Sequence, residues 1–200
     1  MQENETDWEL DPEFEKRDAL RKAGLPVEIA KTGHLLIRET VDADIPELYR
    51  IGTDAAVAKY ITPMQPTLEE EMAYTKAYVR HMYAFYDFGL WTVLEKDDSG
   101  QERVVGRAGL FTSERLDGQI EMGYMIAPEC QGRGYGKEAA EAVLRYAFDV
   151  LDLEGVHLFA AEENKASVKV AEALLAKIPG GEREKWQGLA HFRWENPGNS

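Results

Sequence analysis

Seven residues in mid-chain, Gln131-Gly132-Arg133-Gly134-Tyr135-Gly136-Lys137, constrain the fold more than any other stretch. They stand between an alternating apolar run, Gln119-Ile120-Glu121-Met122-Gly123-Tyr124-Met125-Ile126, and a strongly helical one, Glu138-Ala139-Ala140-Glu141-Ala142-Val143-Leu144. Glycines between a strand and a helix let the backbone turn tightly. They also aim successive N–H groups at one locus, beside the positive end of the helix dipole. Such a turn binds phosphate, or it merely redirects the chain. Spacing argues against two kinds of phosphate loop. A Walker loop needs Gly four residues before Gly136-Lys137 and Ser or Thr after, where this chain has Gln131 and Glu138. A dinucleotide fingerprint starting at Gly132 and Gly134 wants its third glycine where Lys137 stands.

The surrounding pattern predicts a mixed sheet with helices against it. Leu35–Thr40 reads as a strand and Asp42-Ala43-Asp44-Ile45-Pro46 as a helix start, with helix over residues 45–58. Thr67 and Glu70 form a capping box for a second helix, whose apolar side is expected from Met72, Tyr78, Val79, Met82 and Phe85. Leu90–Glu95 and Val104–Phe111 read as a hairpin joined through Asp97-Asp98-Ser99-Gly100, and a turn at Asp117-Gly118 leads into the run before the glycines. Alternation in that run puts Ile120, Met122, Tyr124 and Ile126 on one face, and Glu121 and Met125 on the other. Helix over 135–151, a strand at Val156–Ala160, a helix after Asn164 and at least one strand around Trp186, Phe192 and Trp194 complete the pattern. Residues 34–195 form one domain and 196–200 a tail.

Residues 1–33 read as an acidic arm. Its first fifteen positions hold Glu3, Glu5, Asp7, Glu9, Asp11, Glu13 and Glu15 and no base. Asp11 as N-cap, Pro12 at the first position and Gly24 as terminator predict a helix appended to the main domain. With 23 basic and 37 acidic side chains the net charge is −14, which on average repels nucleic-acid backbones and anionic membranes. Cys130 is the one cysteine, so no disulfide framework or cysteine zinc site is available, and it reads as a small buried residue. His34, His81, His157 and His191 lack ligand spacing, so no metal is expected. No apolar run is long enough to span a bilayer, and the acidic N-terminus does not look like a secretory signal. The expected setting is cytoplasmic.

One family pattern does match. Gln131-Gly132-Arg133-Gly134-Tyr135-Gly136 resembles the Gln/Arg-x-x-Gly-x-Gly/Ala loop of the GNAT superfamily of N-acetyltransferases. Glu121–Pro128 before it, Glu138-Ala139-Ala140 after it, Asn164-Lys165-Ala166-Ser167 downstream and the opening Leu35-Leu36-Ile37-Arg38 are similar to the RimJ/RimL-like branch, over residues 34–195. The resemblance implies an α/β (α+β) fold with a mixed, mainly antiparallel sheet, split where the strand after Glu121 splays from the next. It implies acetyl-coenzyme A (acetyl-CoA) as co-substrate. The pyrophosphate would lie on the amides of residues 132–137, from Gly132 through Arg133, Gly134, Tyr135 and Gly136 to Lys137. The pantetheine would pair with the backbone at Met125, Ile126 and Ala127. Gln131 belongs to the same loop, and Asn164 is expected to cap a helix, touch pantetheine, or both.

Acetyl transfer needs a neutral amine, an oxyanion site and help for the departing thiolate. Glu121 is the candidate base, acting directly or through water, and Ser167 the candidate hydrogen-bond donor to the thiolate. Tyr135 is expected to pack or to lie along the cofactor, with Arg133 and Lys137 adding charge near the phosphates. Tyr74, Tyr78, Tyr83, Phe85, Tyr86 and Phe88 fall where related enzymes line the acceptor cleft. Two departures concern the leaving-group end: Ala171 stands where many members carry a tyrosine acid, and Leu174-Leu175-Ala176-Lys177-Ile178-Pro179-Gly180-Gly181 replaces the usual Leu-Gly-Phe. The implied acceptor is a small amine or a protein or peptide N-terminus, acted on by a monomer or homodimer. The rival reading is an acyl-CoA-binding sensor without turnover.

Overall fold

The computed structural model describes residues 12–96 and 100–199. Eight strands form one sheet in the order β1-β2-β3-β4-β5-β6-β8-β7. The first five are β1 (Glu28–Lys31), β2 (Leu35–Arg38), β3 (Leu90–Lys96), β4 (Glu102–Thr112) and β5 (Ile120–Ile126). They are neighbours in chain order and antiparallel throughout. The last three are β6 (Gly155–Ala161), β7 (Gly181–Trp186) and β8 (Leu189–Glu195), with β8 between the other two and antiparallel to both. β5 and β6 run parallel and meet in a single register pair, Glu121 with His157. Beyond that pair the strands part, and the sheet forks.

Helices α1 (Pro12–Lys22), α2 (Ile45–Thr53), α3 (Ala55–Ala58), α4 (Leu68–Tyr86), α5 (Tyr135–Asp149) and α6 (Lys165–Leu175) surround the sheet. α5 buries Ala139, Ala140, Val143, Leu144 and Ala147 in the core with Val156, Leu158, Phe192 and Trp194 of the β6–β8 arm. The capping box forms as expected: Thr67 Oγ1 accepts from Glu70 N at 3.2 Å and Glu70 Oε2 from Thr67 N at 3.1 Å.

Three sequence expectations are corrected. The helix over 45–58 is broken, because Asp54 turns extended (ψ 132) and caps a new helix, its carboxylate accepting from Ala56 N at 2.8 Å. On α4 Val79 and Met82 pack against the core as expected, but the most deeply buried residues are Glu71, Thr75 and Tyr83, and Phe85 is 72% exposed. Glu71 is accommodated there because it accepts from Thr75 Oγ1 (2.8 Å) and Gln65 N (3.0 Å). The closing segment makes two strands, within the expectation of at least one, but β1 adds an edge strand at residues where none was expected. Its four residues bury only Ile29 deeply, too short a run for alternation to register.

The first helix is docked. Gly24 ends it at φ +72, with Leu25 N bonded to Leu20 O at 2.9 Å. Arg17 and Arg21 reach Asp87 at 2.5 and 2.6 Å, and Arg21 also reaches Glu39 at 2.7 Å. All four side chains are nearly buried, so the charges are matched away from water. Asp11, the expected cap, and the Asp97-Asp98-Ser99 turn lie outside the described residues.

Candidate active site

The glycine turn joins β5 to α5 with Gly134 in the N-cap position at φ +87 and Gly132 at φ +78. Both angles are left-handed, which explains glycine at those positions. At Gly136 the reason is space: an added Cβ would stand 3.3 Å from the Tyr124 ring. The first backbone bond of the new helix runs from Glu138 N to Gly134 O at 3.0 Å. The amides before it therefore have no helical carbonyl to bond, the usual state of a helix start and a fit for a diphosphate.

The charged groups of the turn are themselves held. Arg133 pairs with Glu95 at 2.6 Å and lies over the Tyr135 ring at 4.7 Å, and Tyr135 donates to Glu95 at 2.5 Å. The Tyr135 hydroxyl and the Arg103 and Arg133 guanidiniums hold the Glu95 carboxyl down at about 2. Tyr135 is buried beneath the turn, whereas Lys137 is exposed. Cys130 is buried, as expected of a small core residue.

The fork supplies the second element. Ala127 N bonds Val105 O on β4 at 2.8 Å, which by alternation turns the peptide groups of Ala127 and Met125 toward β4, and those of Ile126 and Tyr124 toward the gap. Of the three residues expected to pair with pantetheine, Ile126 has its peptide groups on the open side, and its carbonyl accepts from Gln131 Nε2 at 3.1 Å. Tyr124 was not on that list.

Glu121 sits at the root of the fork, 6% exposed. Its Oε2 accepts from Ser113 Oγ at 2.7 Å and stands 3.5 Å from Arg115 Nε, whose guanidinium lies 4.8 Å above the Phe159 ring. Asn164 caps α6, accepting from Ser167 N at 3.2 Å. Ser167 Oγ lies 3.1 Å from Tyr124 Oη, a bond that joins β5 to α6 where the strands no longer pair. Burial pushes the Tyr124 phenol up to about 12, opposed by the Ser167 bond. Ala171 is fully buried core.

The aromatic segment divides. Tyr83 and Tyr78 bond the first residue of β3, through Leu90 O at 2.6 Å and Leu90 N at 3.2 Å, and Phe88 is buried. Tyr74, Phe85 and Tyr86 are exposed. The structure also brings together His157 and His191, which the sequence left scattered, with ring nitrogens 2.8 Å apart. Their separation of 34 residues hides the pair from any spacing rule. Among the described residues no group of three or more His, Cys, Asp or Glu could hold a metal ion, and no helix is long and apolar enough to cross a membrane.

This arrangement has known counterparts. The family model of the acetyltransferase (GNAT) domain matches residues 34–176. The chain is similar to the uncharacterised N-acetyltransferase YnaD of Bacillus subtilis, 29% identical over 143 residues, covering 72% of this chain and 79% of YnaD. It is 33% identical over 69 residues to YdaF of the same organism, provisionally named a ribosomal N-acetyltransferase, covering 34% of this chain and 38% of YdaF. In fold it is similar to the spermidine N-acetyltransferase of Vibrio cholerae, solved with CoA and spermine. There the TM-score is 0.63 at 18% identity, over 82% of this chain and 97% of that one. A glycine turn at a helix start, a forked sheet and a family match over most of the chain lead to one conclusion: the chain belongs to the GNAT acetyltransferase family, an N-acetyltransferase that uses acetyl-CoA as its co-substrate.

Proposed function

We propose that the chain transfers the acetyl group of acetyl-CoA to a primary amine, with a peptide or protein N-terminus preferred over small amines such as polyamines. The observation that carries this reading is the fork itself, which opens directly beyond Glu121 and ends at the glycine turn. The amides of residues 132–137 take the pyrophosphate. The pantetheine runs back along β5, pairing with the gap-facing peptide groups of Tyr124 and Ile126, whose carbonyl is shared with Gln131 Nε2. The six steps from Ala127 to Glu121 span roughly 20 Å of extended strand, so the thioester comes to rest toward the Glu121 end.

The acceptor follows from proton demand. An α-amine with a pKa near ~8 is roughly a tenth neutral at pH 7, whereas a lysine near ~10.4 is neutral only a few times in ~10⁴. One carboxylate working through water suffices for the first. Glu121 holds that water and carries a negative charge toward the incoming ammonium. The amine nitrogen attacks the thioester carbon, the C–N bond forms, the C–S bond breaks, and Ser167, backed by Tyr124, donates a hydrogen bond to the departing thiolate. The provisional name of YdaF, a ribosomal N-acetyltransferase, supports a protein acceptor, and that of the Vibrio cholerae spermidine N(1)-acetyltransferase a polyamine.

A panel of peptides and small amines assayed by thiol release tests the reading. Stimulation by peptides with free N-termini above that by polyamines is expected. Release no faster with any amine than without would overturn it in favour of a sensor that binds acyl-CoA.

A further inference from the structure

The paired histidines belong to a chain of three groups. His157 Nδ1 lies 2.8 Å from His191 Nε2, and His191 Nδ1 lies 2.7 Å from Glu184 Oε1. The rings are 7% and 2% exposed, while the Glu184 side chain is 63% exposed. A carboxylate only accepts, so His191 Nδ1 carries the proton of the second bond. In a neutral ring this leaves a lone pair on His191 Nε2, and His157 Nδ1 is then the donor of the first bond. The lone pair of His157 is therefore on Nε2, and no group among the described residues donates to it.

Register places that ring at the reaction centre. His157 is the partner of Glu121 in the one pair that joins β5 to β6, and strand residues in register share a face of the sheet. No direct hydrogen bond among the described residues joins the two side chains. Resting on the amine-transfer reading above, we propose that His157 is the proton acceptor of the reaction, taking the amine's proton through the water held by Glu121, and that His191 and Glu184 are positioning residues that fix its tautomer.

In the balanced step, the proton leaving nitrogen passes to the water as the water gives one of its own to His157 Nε2. The resulting imidazolium shares its Nδ1 proton with His191, whose far side faces the Glu184 carboxylate. Solvent removes the extra proton once product leaves. An imidazole near ~6.5 is a better resting place for that proton than a carboxylate near ~4.3 at neutral pH. The charged and titratable groups around the ring are His191 and Arg193 on β8, Glu184 on β7, Glu121 on β5 and Arg115 in the turn before it. Burial, His191 and Arg193 lower the His157 pKa, and Glu184 opposes them, so the ring is neutral at neutral pH.

The test is a pH profile of kcat/KM by thiol release for the full chain, using an amine that wild type accepts, with calorimetric acetyl-CoA binding as the control for folding. His157→Gln should lower kcat/KM by roughly 10²-fold, leave acetyl-CoA affinity unchanged and strip the His157 titration from the acid limb of the profile, leaving only the slope set by the amine's own deprotonation. Glu184→Gln, on an exposed side chain, should keep the limb but move it to lower pH, since the carboxylate no longer favours the imidazolium. Adding Glu121→Gln to His157→Gln should cost no more than about threefold beyond the worse single variant, because both act on one proton path. The proposal is overturned by an unchanged limb in His157→Gln or in Glu184→Gln, or by losses that multiply in the double variant. If wild type acetylates no amine, the transfer reading falls and takes this role with it; wild-type turnover with an unaffected His157→Gln removes this role alone.

Discussion

The two arms of the forked sheet are made differently. β1 to β5 follow one another in chain order, and the glycine turn proposed to take the cofactor follows the last of them. β6 to β8 assemble out of order, and their chemistry-bearing residues, His157, His191 and Glu184, come from three strands. The first arm thus writes its site in consecutive residues, whereas the second builds one that exists only after the sheet has closed. The proposed cofactor side is a local structure and the proposed acceptor side a tertiary one.

That contrast can be broken by substitutions in each arm. The largest effect is expected from Asp87→Ala, which leaves Arg17 and Arg21 without their shared buried carboxylate. Urea denaturation should show a loss of about 3–5 kcal/mol, with acetyl-CoA affinity of the folded protein little changed. A midpoint equal to wild type would mean that the first helix contributes nothing to the β1–β5 arm. Next comes Glu121→Gln at the root of the fork: turnover should fall roughly 10²-fold at neutral pH, and the loss should shrink as the amine deprotonates unaided. Equal rates across the pH range would remove Glu121 from the chemistry.

Gly134→Leu probes the local side. A left-handed φ costs a side-chain-bearing residue about 1–2 kcal/mol, so acetyl-CoA affinity should weaken roughly tenfold if the turn must keep its shape to bind. Unchanged affinity would detach the pyrophosphate from this turn. The smallest effects are expected where α6 meets β5. Ser167→Ala should slow turnover only a few-fold, since a thiolate departs without full protonation, and Tyr124→Phe should cost no more. A loss beyond that of Glu121→Gln would make the hydroxyl pair the principal catalytic element.

Acid separates the two arms again. The His157 pKa is lowered in the folded chain, so its stabilising effect is complete above the ordinary imidazole value and is lost as pH falls from about 6.5. Glu95, held at about 2, begins to cost stability only below the ordinary carboxylate value of about 4.3 and continues to do so toward pH 2. Hydrogen exchange should therefore report loosening of β6 and β8 at a higher pH than loosening of the glycine turn. The reverse order would contradict the assignment of these groups.

The same contrast explains what was legible in the sequence. The turn from Gln131 to Lys137, the capping box of Thr67 and Glu70 and the β3–β4 hairpin are short-range patterns, and each formed where expected. The break at Asp54 was missed because an N-cap inside an apolar helical pattern looks like any other polar position. On α4 the sequence finds Val79 and Met82 on the core side but not Glu71 and Thr75, which are buried through hydrogen bonds that periodicity of apolar residues cannot reveal. Burial of Arg17 and Arg21 depends on Asp87 and Glu39, which come from other elements. His157 and His191 stood among four histidines with no useful spacing, and only the β6–β8 register makes them neighbours.

The account turns on the fork being the acyl-CoA slot, and a crystal structure of the protein with CoA tests that most directly. It should show the pyrophosphate on the amides of residues 132–137, the pantetheine between β5 and β6 against the peptide groups of Ile126 and Tyr124, and the thiol near Ser167 on the Glu121 side of the gap. CoA lying outside the fork, or β5 and β6 paired along their length with the ligand bound elsewhere, would contradict it.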